Sequence, residues 1–151
     1  MSRNAGLTEV EVAELHRRAT EAAQRSYSPY SHFRVGAAVL LHGGEVGEGA
    51  IVVGTNVENA SYRLTCCAEQ SAIAAAVSQY GPGIRIRAVA VVNLNGAACM
   101  PCGACRQTIL EFAGAEAAIF YPSGPGESGA GEIISTTLGE LLPAAFHLKT
   151  D

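Results

Sequence analysis

Twice in succession, a segment that favours helix is followed by a short apolar run, and this alternation most limits what the chain can fold into. Cys66 to Tyr80 is Ala-rich and ends at the stop signals Gly81-Pro82-Gly83, after which Arg87 to Leu94, with Val89, Val91 and Val92, reads as a strand. A second such helix opens after Pro101, runs through Ile109, Leu110 and Phe112 and stops at Gly114, and Ala117 to Tyr121 reads as the next strand. Upstream, Thr8-Glu9-Val10-Glu11 has the form of a capping box. Val12, Leu15, Ala19, Ala22 and Ala23 then recur at helical spacing to about Ser26. Tyr27 to Ser31 breaks that helix. Val35 to Leu41 and Ala50 to Gly54 read as a hairpin whose loose connection carries Gly43, Gly44 and Gly47. Thr55 to Leu64 reads as loop, and Pro122 to Gly131 as a Gly-, Ser- and Pro-rich surface loop. Ile133 to Thr136 reads as an edge strand and Leu138 to Leu142 as a short helix before Pro143. Helices interleaved with apolar strands predict an α/β fold, a three-layer α/β/α sandwich with a mixed central sheet. With no internal repeat and no linker, residues 1–151 form one expected domain.

Hydrophobic residues make up 48% of the 151 and charged residues 16%, which excludes intrinsic disorder. A domain of this size cannot hide so much apolar surface in its own interior, so a subunit that buries a face in an oligomer is expected. Arg, Glu, Gly or Pro interrupts every apolar stretch before the roughly 20 residues of a membrane helix. Met1-Ser2-Arg3-Asn4-Ala5 leads into a charged amphipathic segment and not the apolar core of a signal peptide, which makes the cytoplasm the expected address. A net charge of −4 argues against a polynucleotide partner and for a small-molecule one.

Five cysteines is an odd number, and without an export signal metal-binding or catalytic thiols are a better reading than a disulfide framework. Pro101-Cys102-Gly103-Ala104-Cys105 places two thiols three residues apart at a predicted helix start, where Pro is favoured and both side chains can share one side. Helix N-terminal N–H groups favour thiolates, which zinc binds. Alone, this C-x-x-C also fits a redox pair or a structural half-site. Cys67-Ala68-Glu69 at another predicted helix start adds a third thiol and a carboxylate. A structural zinc site closes with four protein ligands, whereas a catalytic one takes three and keeps a position for water. A carboxylate left free beside that position can move protons. The C-x-E frame selects Cys67 and leaves Cys66 a structural thiol; Cys99 overlaps the Cys102 frame as a spectator. His16, His32, His42 and His147 lie in unrelated segments without ligand spacing and read as packing or surface residues.

C-x-E followed by P-C-x-x-C is the signature of the zinc deaminases, the three-Cys version included. Over nearly its whole length the chain resembles the cytidine deaminase family. The matching blocks are Tyr27-Ser-Pro-Tyr-Ser-His-Phe-Arg-Val-Gly-Ala-Ala38, Asn56-Val-Glu-Asn-Ala-Ser-Tyr62, Cys67-Ala-Glu69, Pro101-Cys-Gly-Ala-Cys-Arg-Gln107 and Leu141-Leu-Pro-Ala-Ala-Phe146, in the family's order. The resemblance implies one zinc per subunit on Cys67, Cys102 and Cys105, with Glu69 as proton shuttle in hydrolysis of cytidine or deoxycytidine to the uridine nucleoside and ammonia. It further implies that Phe33 lies near the base, that Asn56 and Glu58 bind the ribose hydroxyls, and that Ala68 lines the substrate pocket. In the family's small homotetrameric form neighbouring subunits complete each site, which would assign Ala60, Tyr62 and Phe146 to the adjacent pocket and place the enzyme in pyrimidine salvage. A related aminopyrimidine nucleoside, such as a blasticidin-type compound, is the alternative substrate; a noncatalytic zinc-binding assembly module is the alternative of another class.

Three features depart from the family. Gln70 stands where many three-Cys relatives carry Arg after the catalytic Glu, and three thiolates on Zn²⁺ leave a net −1 that this missing cation does not offset. Arg106 or the two helix N-termini are the candidates to compensate. The 43–49 connection is longer, and the 122–131 loop is Gly-rich.

Overall fold

The computed structural model describes residues 4, 6–43, 48–125 and 131–148. In chain order they form α1 (Glu9–Ala23), β1 (Val35–His42), β2 (Glu48–Thr55), a 3₁₀ turn (Tyr62–Leu64), α2 (Ala68–Tyr80), β3 (Arg85–Asn93), α3 (Gly103–Leu110), β4 (Ala113–Pro122), β5 (Ile133–Thr137) and α4 (Leu138–Leu141). The sheet order is β2-β1-β3-β4-β5. Only β3 and β4 run parallel, joined by α3, and the other neighbours are antiparallel. The sheet is therefore mixed, as expected.

Period-2 alternation along β1 builds both faces. Ala38 and Leu40 join Leu15 and Ala19 of α1 in one buried cluster, with Ala88, Ala90, Ala118 and Phe120. Ala37, Val39 and Leu41 point the other way, into a cluster with Ala72, Ile73 and Ala76 of α2, Ile109 of α3 and Leu138 of α4. Three layers result because each helix buries its apolar stripe on one side of the same sheet. The spacing is set by glycine. A Cβ on Gly36 would lie 2.0 Å from the Ala19 carbonyl oxygen, and one on Gly54 would lie 2.3 Å from the Ala72 amide nitrogen, so α1 and α2 approach β1 and β2 backbone to backbone.

The capping box of α1 is present, with Thr8 N–H donating to Glu11 Oε2 at 2.8 Å and Glu11 N–H to Thr8 Oγ1 at 3.1 Å. Strand ends other than the start of β4 move by at most two residues, Thr55 closes β2 and the 3₁₀ turn Tyr62–Leu64 interrupts the expected 55–64 loop, while the larger differences from the sequence expectation lie around the helices. Helix α2 begins at Ala68 and not Cys66, because Cys66 exchanges two 2.9 Å backbone hydrogen bonds with Val57 and so belongs to an extended bridge. Helix α3 stops at Leu110, four residues before Gly114. The next segment is drawn into the sheet at Ala113, opposite Ile86, so β4 starts earlier than expected. Helix α1 closes at Ala23, with shorter turns carrying the chain to Ser26. Residues 44–47 and 126–130, within the two long connections, lie outside the described residues.

One end of the sheet gathers the loops that matter. Val35 opens β1 opposite Asn93, the end of β3, while Gly36 faces Thr55, the end of β2. The segments 26–34, 56–67 and 94–102 therefore meet at a single edge, from which α2 and α3 start. Among the described residues, no helix is long and apolar enough to cross a membrane.

Candidate metal centre and substrate site

Cys67 and Cys102 are the N-cap residues of α2 and α3, both extended and neither capping with its side chain. Each sulfur is thus left free at a helix N-terminus, where N–H groups and the dipole favour negative charge. Cys105, two residues into α3, is fully buried. The three Sγ atoms lie within 4.8 Å of one another. Tetrahedral zinc with bonds of about 2.3 Å needs sulfurs about 3.8 Å apart, so the trio fits zinc after a movement of about 1 Å. Cys66 and Cys99, the expected spectators, stand outside this group of three.

The thiols share protons before any metal arrives. Hydrogen bonding from Cys105 holds the Cys67 thiol down to about 7, and Cys105, which keeps the proton, is pushed far above the ordinary thiol range. Burial pushes Cys66 up and Cys99 up to about 11, which keeps both neutral. Gln70 Nε2 donates to Cys105 Sγ at 3.7 Å. Arg106, the other candidate for charge compensation, turns its guanidinium to two carbonyl oxygens, Pro101 O at 2.7 Å and Leu141 O at 2.8 Å. The Gln70 amide and the two helix N-termini thus face the thiols directly, while the Arg106 guanidinium reaches the carbonyl that precedes Cys102.

Glu69 is 5% exposed, in the first turn of α2. Burial raises its carboxyl above the usual carboxylate range, partly offset by its own backbone N–H and by the Cys105 thiol. A carboxyl shifted upward beside three thiols that could hold a metal is more readily protonated than an ordinary carboxylate, which suits it to take and return a proton.

Asn56 and Glu58 organise the rest of the rim. The Asn56 side chain is buried; Oδ1 accepts from Val35 N–H at 3.0 Å and from the Ser26 hydroxyl, and Nδ2 donates to Phe33 O at 2.8 Å. One N–H of the amide remains. Glu58 Oε1 accepts from Tyr30 N–H at 2.9 Å and Ser31 N–H at 3.1 Å, and Oε2 from the Ser31 hydroxyl. These bonds, the Ser31 hydroxyl first, hold its carboxyl below the ordinary range. Phe33 is half-buried against the α2-side core cluster, which also contains Ala68. Asn95 secures the segment between them, accepting from Arg34 N–H and donating to His32 O, both at 3.0 Å. Phe33, Asn56 and Glu58 are thus brought together, and Ala68 separates Cys67 from Glu69.

Ala60, Tyr62 and Phe146 are all exposed. Tyr62 is 76% exposed, edge-on to Tyr30 with ring centroids 6.3 Å apart, and Phe146 is 68% exposed, its carbonyl held by Gln107 at 3.1 Å. Sequence reasoning assigned no role to Ser31 or Asn95. The Tyr27–Ala38 block contained Ser31, but nothing local marks a serine as the partner of a carboxylate 27 residues away.

Residues 10–121 match the family model for the cytidine and deoxycytidylate deaminase zinc-binding region. The chain is 46% identical over 130 residues to the cytidine deaminase of Mycobacterium tuberculosis, covering 86% of this chain and 85% of that protein. It is 40% identical over 133 residues to that of Halalkalibacterium halodurans, covering 87% and 91%. The fold is similar to the crystal structure of the M. tuberculosis cytidine deaminase, with a TM-score of 0.73 and 41% identity over 93% of this chain and 100% of that one. It is likewise similar to the cytidine deaminase of Burkholderia pseudomallei, with a TM-score of 0.74 and 36% identity over 93% and 100%. Three thiols gathered at two helix starts, a buried carboxyl beside them and these similarities together place the chain in the cytidine deaminase family.

Proposed function

We propose that this chain is a zinc-dependent hydrolase that converts cytidine and deoxycytidine to uridine and deoxyuridine with release of ammonia, in pyrimidine salvage. The carrying observation is the juxtaposition of Cys67, Cys102 and Cys105 within 4.8 Å with a Glu69 carboxyl buried beside them. The donor set fits one zinc per subunit on these three thiolates, and zinc so held lowers the pKa of a water from 15.7 to about 7. Glu69 would take one proton from the attacking water and deliver it to N3 of the pyrimidine as the water oxygen bonds to C4, and would then pass the water's second proton to the amine as the C4–N bond breaks, so that cytidine and water give uridine and ammonia. Its buried carboxyl lies beside the three thiols, which would hold the metal and leave the carboxyl free to carry protons. Phe33 packs near the base, and Ala68 lines the pocket between Cys67 and Glu69. The remaining Asn56 N–H and the remaining acceptor capacity of Glu58 bind the ribose hydroxyls, which excludes free cytosine.

The oligomer belongs to the same proposal. Tyr62, Leu64, Met100, Phe146 and Leu148 are large apolar side chains left exposed on one subunit. We read them as the surface by which neighbouring subunits of a cytoplasmic homotetramer complete each site with Ala60, Tyr62 and Phe146. Kinetics with cytidine, deoxycytidine, cytosine and a blasticidin-type nucleoside test the assignment. Turnover of the first two with cytosine inert is expected; preference for the last would move the substrate to another aminopyrimidine nucleoside.

A further inference from the structure

Arg106 lies outside the groups assigned to the metal or the substrate, yet it frames one of the ligands. Its backbone N–H donates to Cys102 O at 2.9 Å and its Nε donates to Pro101 O at 2.7 Å. The peptide groups on both sides of the Cys102 Cα are therefore fixed by one residue a turn later, and the direction of the Cys102 side chain is set with them. Pro101 is fully buried, so its carbonyl has little recourse to water if the guanidinium is removed. The other arm of the fork, Nη1, donates to Leu141 O at 2.8 Å. That carbonyl ends α4, where no intrahelical donor is left to it. The next residue, Gln107, holds Phe146 O at 3.1 Å. Two consecutive residues of the helix that carries Cys102 and Cys105 thus attach the C-terminal segment at two points.

We propose that Arg106 is a positioning residue that couples the C-terminal segment to the metal centre: occupancy of the three thiols and docking of residues 138–148 on α3 favour one another through its guanidinium. The inference rests on the assignment of Cys67, Cys102 and Cys105 as ligands. A planar guanidinium bonds two carbonyls with two different nitrogens in a preorganised fork, whereas a lysine ammonium is a single point on a flexible stem. Coupling between two sites is reciprocal, so metal should protect the segment as much as the docked segment retains metal. Phe146, which leaves from this segment, is the residue we assign to a neighbouring pocket, so the coupling also links metal loading to completion of the site.

Hydrogen exchange of the peptide covering 138–148 tests this in the full-length chain, zinc-loaded and chelator-stripped, referenced to β3 in the same sample. In wild type, zinc removal should speed exchange of that peptide about 10-fold, in line with what partners of metal ligands usually contribute. In Arg106→Ala exchange should be fast with or without zinc, zinc transfer to a chelator should be about 10-fold faster, and the visible bands of the cobalt-substituted protein should shift. Arg106→Lys should recover part of each effect, and it carries the test if the alanine variant does not fold. Thr8→Ala, which weakens α1 through its capping box, should leave zinc transfer and the cobalt bands unchanged. Equal exchange with and without zinc in wild type, metal-dependent exchange retained in Arg106→Ala, or zinc transfer as fast in Thr8→Ala would overturn the coupling. A wild type that binds no zinc would overturn the ligand assignment, and the coupling with it.

Discussion

The Gln70 amide donates a hydrogen bond to the sulfur of Cys105 at 3.7 Å, across from α2 to α3. A neutral donor at this position orients the Cys105 sulfur without adding a charge. A cation there would favour the deprotonated form of every group it faces, lowering their pKa values. Gln70→Arg is therefore expected to move the acidic limb of the kcat/KM profile for cytidine to lower pH. A profile superimposable on wild type would show that the charge of the three thiolates is already balanced.

Gly54 sets the distance between α2 and the sheet. An added Cβ would meet Ala72 N at 2.3 Å and Ala68 O at 2.6 Å, both backbone atoms that cannot swing aside. Gly54→Ala should cost about 3 kcal/mol by overpacking, read as a lower urea midpoint at unchanged slope, and should weaken zinc retention because α2 carries Cys67 and Glu69. A loss below about 1 kcal/mol would mean that α2 shifts freely.

The five cysteines should separate into two groups. Alanine at 67, 102 or 105 is expected to abolish stoichiometric zinc binding, measured by metal analysis after gel filtration. Alanine at 66 or 99 should leave one zinc per chain and cost about 1 kcal/mol of stability, in proportion to partial burial. Zinc loss from Cys99→Ala with zinc kept by Cys102→Ala would reassign the ligands to the overlapping C-x-x-C frame.

The part of this architecture that could be read from sequence is the part decided locally. Helix α1 carries its capping box and its apolar stripe within 16 residues, Thr8 to Ala23, and the alternation of β1 places Ala37 and Ala38 on opposite faces by period alone. Cys67, Glu69, Cys102 and Cys105 were legible for the same reason, since each pair is close in sequence at a helix start. What escaped depends on partners far along the chain. Cys66 is kept out of α2 by Val57, Ala113 is claimed for β4 by Ile86, and Glu58 is tethered by Ser31. The two glycines that admit the helices look like ordinary small residues until Ala19 and Ala72 are seen above them. Arg106 follows Cys105 in sequence, but its action on Pro101 and Leu141 depends on a rotamer and on where α4 docks.

The central claim is that Glu69 moves the proton while the three thiols hold the metal. The most direct measurement is the ultraviolet change on adding cytidine to purified wild type and to Glu69→Gln, each with its zinc content determined. Wild type should deaminate cytidine, and Glu69→Gln, isosteric and still holding one zinc per chain, should be slower by roughly 10²–10⁴-fold, the usual contribution of a positioned acid–base group. Full activity in zinc-loaded Glu69→Gln, or a zinc-loaded wild type inert toward cytidine and deoxycytidine, would contradict the account.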